Sequence, residues 1–358
     1  MDEMKKENLL ARVLGDVDEK KLVTLPSIDT SREAIANFGQ LMDMANGIDE
    51  KSEDFNASFS ELRATTKEQS EYQSLGLNVR NQFELDLSYH GLSSLCSALG
   101  IPANYIRRCI ETNNVPFAEE NLNFWLRRAD QRDNFLRSTD NRLHGFLSSR
   151  YTVLDDHEVL SLTNDILSDF PSQYGVSNGL VTPEMMKVRV VQQEKIIIDG
   201  DELSVGFDIR NSRVGKSSLD ISLLIFRWAC SNGMIVGGGQ GVAFRKRHVG
   251  ITRDDLAASL ADTIHSLPDM VEYVKTGVER AQGITLNSTS IQNLVDKFKA
   301  EGLSKNAAGR IEEFMDINYN RTLYGFVNTI TDLSKEYSLE TREKMERFAG
   351  RVFESKVA

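Results

Sequence analysis

No apolar run in these 358 residues approaches the roughly 18 to 20 that a membrane span requires, so no span is expected. The opening MDEMKKENLLARVLGDVDEKK is acidic and broken, where a secretory signal needs a basic start and then a long apolar stretch; the cytoplasm is the expected location. Cysteine is scarce: Cys96, Cys109 and Cys230 are odd in number and form no CxxC, which suits buried thiols in a reducing compartment and argues against a disulfide framework. The five histidines show neither HxxxH nor HExxH nor a Cys/His ligand spacing, so neither a metal nor any other cofactor is expected. Lysine is missing altogether between Lys67 and Lys187, where the basic residues are Arg80, Arg107, Arg108, Arg127, Arg128, Arg132, Arg137, Arg142 and Arg150. Arginine offers a planar fork for carboxylate or phosphate; the plain alternative is pairing with Asp130, Asp133 and Asp140.

What remains is an ordinary globular composition, 40% hydrophobic and 27% charged, on a chain long enough for a large core and two domains. The net charge of −11 lies at the ends: −7 in residues 1–79, 0 in 80–253 and −4 in 254–358. The strongest pattern runs from Leu203 to His248. Leu203, Val205, Phe207 and Ile209 alternate onto one face, and Leu219, Ile221, Leu223 and Ile225 do the same after a polar turn, Asn211 to Ser218. Asp199-Gly200 ahead of them is a hairpin signal, because a tight turn there needs positive φ. The expected fold is α+β, an antiparallel β-sheet core with packed helices and a C-terminal helical region.

Along the chain, residues 1–76 read as an acidic N-terminal extension with a mobile linker near 46–75, residues 77–253 as the α+β core domain, and 254–358 as the helical C-terminal region. A strand is expected over Leu77–Leu87. Leu92, Leu95, Cys96 and Leu99 then mark a helix closed by Gly100. The next helix places Tyr105, Ile106, Cys109 and Ile110 inward and Arg107 and Arg108 outward, and a further turn near Asn121–Arg128 has Phe124 and Trp125 as packing anchors. Asp155 and Glu158 read as a capping box for the helix that ends at Pro171. Met185–Gln193 is a strand with Lys187 and Arg189 on one face. Helical periodicity takes over after Ile251, in pieces near 256–278, 291–300, 305–316, 322–335 and 339–353.

Chemistry is sparse. Val214-Gly215-Lys216-Ser217 ends like a P-loop, but Arg210 stands where the first glycine is needed and the loop joins two strands instead of entering a helix. Gly237-Gly238-Gly239-Gln240-Gly241 could form an anion-binding nest, with a flexible turn as the plainer reading. Asp155-Asp156 and the acids between Asp199 and Glu202 are better explained by a cap and a turn than as paired catalytic carboxylates, and Ser148, Ser149 and His144 make no nucleophile–base pair. No catalytic residue is assigned. Tyr151, Phe226 and Trp228 are candidates to stack bases, although an aromatic in a strand is ordinarily core. Arg227, in phase with the apolar face of its strand, needs a partner if buried, an acidic side chain or a phosphate. The expected nucleic-acid-binding set is Arg213, Lys216, Arg227, Arg245, Lys246, Arg247 and His248.

The ordered segments IPANYIRRC, NLNFWLRR, LRSTDNRLHGFLSSRYTVLDDHEVL, GFDIRNSRVGKSSLDISLLIFRWACSNGMI and RHVG together resemble the phage and plasmid family known as domain of unknown function 932, over about residues 80–250. The chain departs from that pattern at Ser149 and Arg213, where the family often carries an acidic residue. The resemblance implies a mobile-element setting and no agreed activity. Joined to the basic clusters, it leads to the expectation of a noncatalytic nucleic-acid-binding protein, a recombination or single-strand annealing accessory acting on single- or double-stranded nucleic acid. The alternative is a protein-binding module, a host-defence antagonist or assembly factor, engaging its partner through the helical C-terminal region. A homo-oligomer is compatible with either, and no membrane partner is expected.

Overall fold

Residues 38–68, 73–168, 174–228, 232–236 and 243–357 are described in a computed structural model. After helix α1 (Phe38–Asp49), the strands β1 (Ser52–Ser58), β2 (Leu62–Glu68), β3 (Gln73–Val79), β4 (Phe83–Leu87), β5 (Asp133–Thr139) and β6 (Arg142–Ser148) form a six-stranded sheet in the order β1-β5-β6-β4-β3-β2. Its pairings are antiparallel except β4–β6. Residues 52–58 and 62–68, expected within a mobile linker, are therefore sheet, joined by a single 3-10 turn, Phe59–Glu61. Both β1 and β2 are outermost strands, and an outer strand with one solvated face can be polar enough to hide its alternation. Ala57, Leu62 and Ala64 are the few inward anchors.

Two hairpins of this sheet lack glycine. Arg80 and Asn81 turn β3 into β4, splitting the single strand expected at 77–87, and Asp140 and Asn141 turn β5 into β6, all four at φ between 50° and 59°. Asparagine is among the few non-glycine residues that tolerate this left-handed region. Between β4 and β5 lie α2 (Tyr89–Leu99), α3 (Ala103–Glu111) and α4 (Val115–Leu126). Ser88 caps α2 through Gly91 N–H, and Gly100, at φ 70°, closes it.

The second sheet has seven strands: β7 (Tyr174–Val181), β8 (Met186–Gln192), β9 (Ile196–Ile198), β10 (Asp201–Asn211), β11 (Leu219–Arg227), β12 (Asn232–Val236) and β13 (Ala243–Lys246). The order is β12-β11-β10-β8-β7, with β9 on β10 and β13 on β11. Asp199 and Gly200, both at positive φ, make the expected turn into β10. The register sets Leu203 against Arg227 and Ile209 against Ile221, so the two apolar rows share one face and enter one core with Val188 and Val190. Gly206 is required: a Cβ there would stand 2.1 Å from the Val190 carbonyl oxygen.

Helix α5 (Asp156–Ser168) precedes this sheet, and α6 (Arg253–His265), α7 (Leu267–Gly283), α8 (Ser288–Ala300), α9 (Lys305–Asn318), α10 (Leu323–Leu333) and α11 (Leu339–Val357) follow it. Phe298, Phe326, Phe348 and Phe353 from these helices lie in the same buried cluster as Val205 and Phe207, so the helical region and the seven-stranded sheet share a core. A separate cluster, from Ala57 to Phe146, fills the six-stranded sheet and its helices. No described helix is long and apolar enough to cross a membrane.

Candidate nucleic-acid interface

The polar turn between β10 and β11 sends one of its two cations, Arg213, inward and leaves Lys216 exposed. Arg213 is 1% exposed, its guanidinium against Asp49 of α1, with Asp155 at 4.0 Å and Asp156 at 3.4 Å. Arg227 sits at the far end of β11, eight residues or about 26 Å from Leu219 at 3.3 Å per residue. Its Nη2 lies 2.6 Å from Asp201 Oδ1 and Nη1 donates to Tyr319 Oη at 3.2 Å. His248 is buried with its ring stacked on Tyr151, centroids 5.2 Å apart, and burial lowers its pKa, so the ring is neutral. These three residues cannot meet a phosphate where they stand: two guanidiniums are matched to carboxylates, and the imidazole is enclosed and uncharged.

Lys216, Arg245, Lys246 and Arg247 do collect at one end of β11, because β13 sets Lys246 opposite Leu219 and Arg245 opposite Asp220, just after the turn that carries Lys216. Three of them are paired: Lys216 Nζ to Glu184 Oε2 at 2.8 Å, Arg245 Nε to Asp220 Oδ2 at 2.7 Å and Lys246 Nζ to Asp255 Oδ2 at 3.2 Å. Arg247 is exposed. The glycine-rich stretch 237–241 lies outside the described residues. Phe226 and Trp228 are buried core, the Trp228 indole N–H donating to Ser204 Oγ at 2.7 Å.

The same matching governs the polar face of the seven-stranded sheet, which α11 covers. Lys187 Nζ lies 3.3 Å from Glu343 Oε2, Arg189 grips Glu346 with both terminal nitrogens, Arg210 Nη1 lies 2.7 Å from Glu343 Oε1, and Arg347 Nη2 lies 2.9 Å from Asp220 Oδ1. Burial opposes ionisation of Glu346, but Arg189 and Arg342 outweigh it and hold the carboxyl at about 2. Glu184 also stays near 2, since His144 and Lys216 outweigh its burial. Around Arg213 the balance reverses: Asp49, Asp54, Asp155 and Asp156 share the guanidiniums of Arg137 and Arg213. Burial, with Asp155 adding repulsion, pushes Asp156 up to about 8. Asp155, read as a helix cap, has Oδ1 2.7 Å from Arg137 Nη2.

A second group of exposed arginines, Arg127, Arg128 and Arg132, lies at the end of α4. The buried stripe of this helix is Val115, Ala118, Leu122 and Leu126. Side chains of α4 also close the open edge of β2: Asn123 exchanges two 2.9 Å hydrogen bonds with the Ala64 backbone, and Glu119 Oε2 accepts from Thr66 N–H at 2.7 Å. At 3.6 residues per turn Phe124 falls on the opposite side of the helix and Trp125 on the flank of the stripe. Both are 42% exposed, which corrects the reading of them as packing anchors. Their rings meet edge to face at 5.4 Å, and the Arg128 guanidinium lies 3.7 Å over Phe124. Arg107, expected outward, is buried over the Tyr89 ring and donates to Asn104 Oδ1 and Tyr89 O, while Tyr105 is exposed in its stead.

Beside Trp125 is an open cleft of about 390 Å³, walled by Ser97, Ala98, Leu99 and Gly100 at the end of α2 and by Trp125, Arg128, Ala129, Asp130 and Arg132. Arg132 Nη2 donates to Ala98 O at 3.2 Å, and its Nε lies 3.5 Å from Asp130, both side chains more than half exposed. Arg127 is exposed next to Arg128. The signal in the sequence was FWLRR, an aromatic pair off the buried stripe followed by two arginines.

Among the described residues, no group of three or more His, Cys, Asp or Glu side chains could hold a metal ion. No curated protein matches the chain, and no solved structure does. Residues 143–349, more than half of the chain, match the family described as Domain of unknown function (DUF932), and the chain belongs to it. The matched span starts at β6 and runs into α11, so it takes in the helical region beyond the residues whose motifs carried the resemblance. The cleft at 97–132 lies outside it.

Proposed function

We propose that this member of the DUF932 family is a noncatalytic nucleic-acid-binding protein, and that it engages its ligand at the end of α4. The observation that carries this reading is the cleft that brings Arg128 and Arg132 together with the half-exposed ring of Trp125, with exposed Arg127 and Phe124 adjacent in sequence, on a chain of net charge −11 in which the arginines under α11 are matched to carboxylates. Arginine with exposed aromatic rings is the combination that binds nucleic acid with little sequence preference: guanidiniums neutralise phosphates and rings stack on bases. The seven residues expected from the sequence support it less. Arg213, Arg227 and His248 are committed internally, and Lys216, Arg245 and Lys246 would first have to leave their carboxylates.

The second reading is a protein partner. It draws on the same side chains, because Trp, Tyr and Arg also dominate protein interfaces, and on the exposure of Tyr105 and Phe117 in the same body. Titrating a labelled oligonucleotide against the purified protein at several salt concentrations separates the two. Three neutralised phosphates on a single strand give a slope of about −2 in log K against log salt. Absence of salt-sensitive binding to single- or double-stranded DNA or RNA at low ionic strength ends the nucleic-acid reading in favour of the protein partner.

A further inference from the structure

We infer that the cleft between the ends of α2 and α4 takes one unpaired base against Trp125, with the neighbouring phosphates on Arg128 and Arg132, so that the protein prefers single strands to duplex. This rests on the nucleic-acid reading and adds to it the site and the class of strand. The cleft's volume, about 390 Å³, lies at the low end of the roughly 300 to 1,000 Å³ typical of small-molecule sites. Trp125 is the aromatic side chain in its wall, and a flat ring open to solvent offers a stacking surface to any base.

The walls are held before any ligand arrives. Asn123 and Glu119 fasten α4 to the edge of β2, and at the end of α2 the N–H groups of Gly100 and Ile101 donate back to Ser97 and Cys96 carbonyls. The guanidiniums are steered too, Arg128 by the Phe124 ring and Arg132 by the Ala98 carbonyl, which lowers the ordering cost of gripping a phosphate. One carboxylate, Asp130, stands among them, leaving the cleft a net positive site for a polyanion. In a duplex the base faces are covered by their neighbours, and reaching Trp125 would require unstacking, which costs a few kcal/mol. A single strand has bases to offer without that cost.

Tryptophan fluorescence tests this directly. The chain has two tryptophans; Trp228 is 7% exposed and bonded to Ser204, so a base arriving at the surface quenches Trp125. The full chain, titrated with a thymidine homopolymer strand and with a hairpin duplex, should be quenched by the strand and bind it at least tenfold more tightly. Trp125→Phe should abolish the quench and keep most of the affinity. Trp125→Ala should lose about 5- to 150-fold, the fold-change that matches 1–3 kcal/mol of stacking per base, with an unchanged far-ultraviolet spectrum and melting temperature. Salt-sensitive binding without a quench, or equal affinity for strand and duplex, overturns the base site and leaves the nucleic-acid reading intact. No binding to either probe, or to RNA, overturns both.

Discussion

The polar face of the seven-stranded sheet and the end of α4 are both rich in arginine, and they use it in opposite ways. Under α11 every cation is answered: Arg189 by Glu346, Arg210 and Lys187 by Glu343, Arg347 by Asp220. At the end of α4, Arg128 lies on an aromatic ring and Arg132 on a carbonyl and an exposed Asp130, with solvent around them. The count of basic residues is thus a poor guide to where an anion binds; burial and pairing decide. The family match covers the first region and not the second, so shared architecture and candidate site occupy different parts of the chain.

The largest expected effect belongs to the buried side of the comparison. Glu346→Ala leaves Arg189 in the interior with only the Asp208 carboxylate, 4.0 Å away, and should cost about 3 to 5 kcal/mol in a denaturant melt, whereas Arg189→Met with Glu346→Leu should recover most of that loss, since a well-packed apolar pair can replace a buried ion pair. A loss under about 1 kcal/mol for Glu346→Ala would mean that water reaches this face, since exposed pairs are worth about that little. Leu223→Ala, in the apolar row of β11, should cost about 2 to 5 kcal/mol. Phe124→Ala, on the solvent side of α4, should stay within about 0.5 kcal/mol, and a similar loss from both would show that Phe124 is core after all.

Acid and base should act on different clusters. Glu184 and Glu346 have folded pKa values depressed from 4.5 to about 2, so the stability they contribute is present above pH 4.5 and is lost as pH falls towards 2. Asp156 has the opposite sign. Its folded value near 8 exceeds the usual 3.8, so the folded state binds the extra proton between these limits and stability falls as pH rises from about 4 to 8. Asp156→Asn should flatten that alkaline limb, and an unchanged limb in chemical melts across this range would contradict the crowding of carboxyls around Arg213.

The apolar rows of β10 and β11 and the Asp199-Gly200 turn were legible because period-two alternation and a glycine turn are strong local signals. So were the helices beyond residue 253, whose periodic stripes match the core they build. The outer strands β1 and β2 were not, since Glu53, Asp54, Thr65 and Thr66 read as loop until a neighbouring strand supplies the pairing. Arg80-Asn81 and Asp140-Asn141 carry no glycine to announce a turn. The fate of Arg213 could not be read either, because its partners Asp49, Asp155 and Asp156 come together only through the packing of α1 on α5. Phe124 and Trp125 were misassigned for a simpler reason: large aromatic rings in a helix are usually buried, and only the position of Leu122 and Leu126 shows which side faces inward.

The central claim, that an arginine's pairing and not its place in a basic run determines whether it meets the ligand, is tested by one comparison of salt slopes on a single strand. Arg127, Arg128 and Arg132 replaced together by alanine should reduce the slope of log K against log salt by about 2, at about 0.7 per phosphate contact, with little change in melting temperature. Arg245, Lys246 and Arg247 replaced together should reduce it by less than about 0.7, since at most Arg247 is available for a phosphate. The reverse, a full drop from the β13 variant and none from the α4 variant, would contradict the account and return the ligand to the seven-stranded sheet.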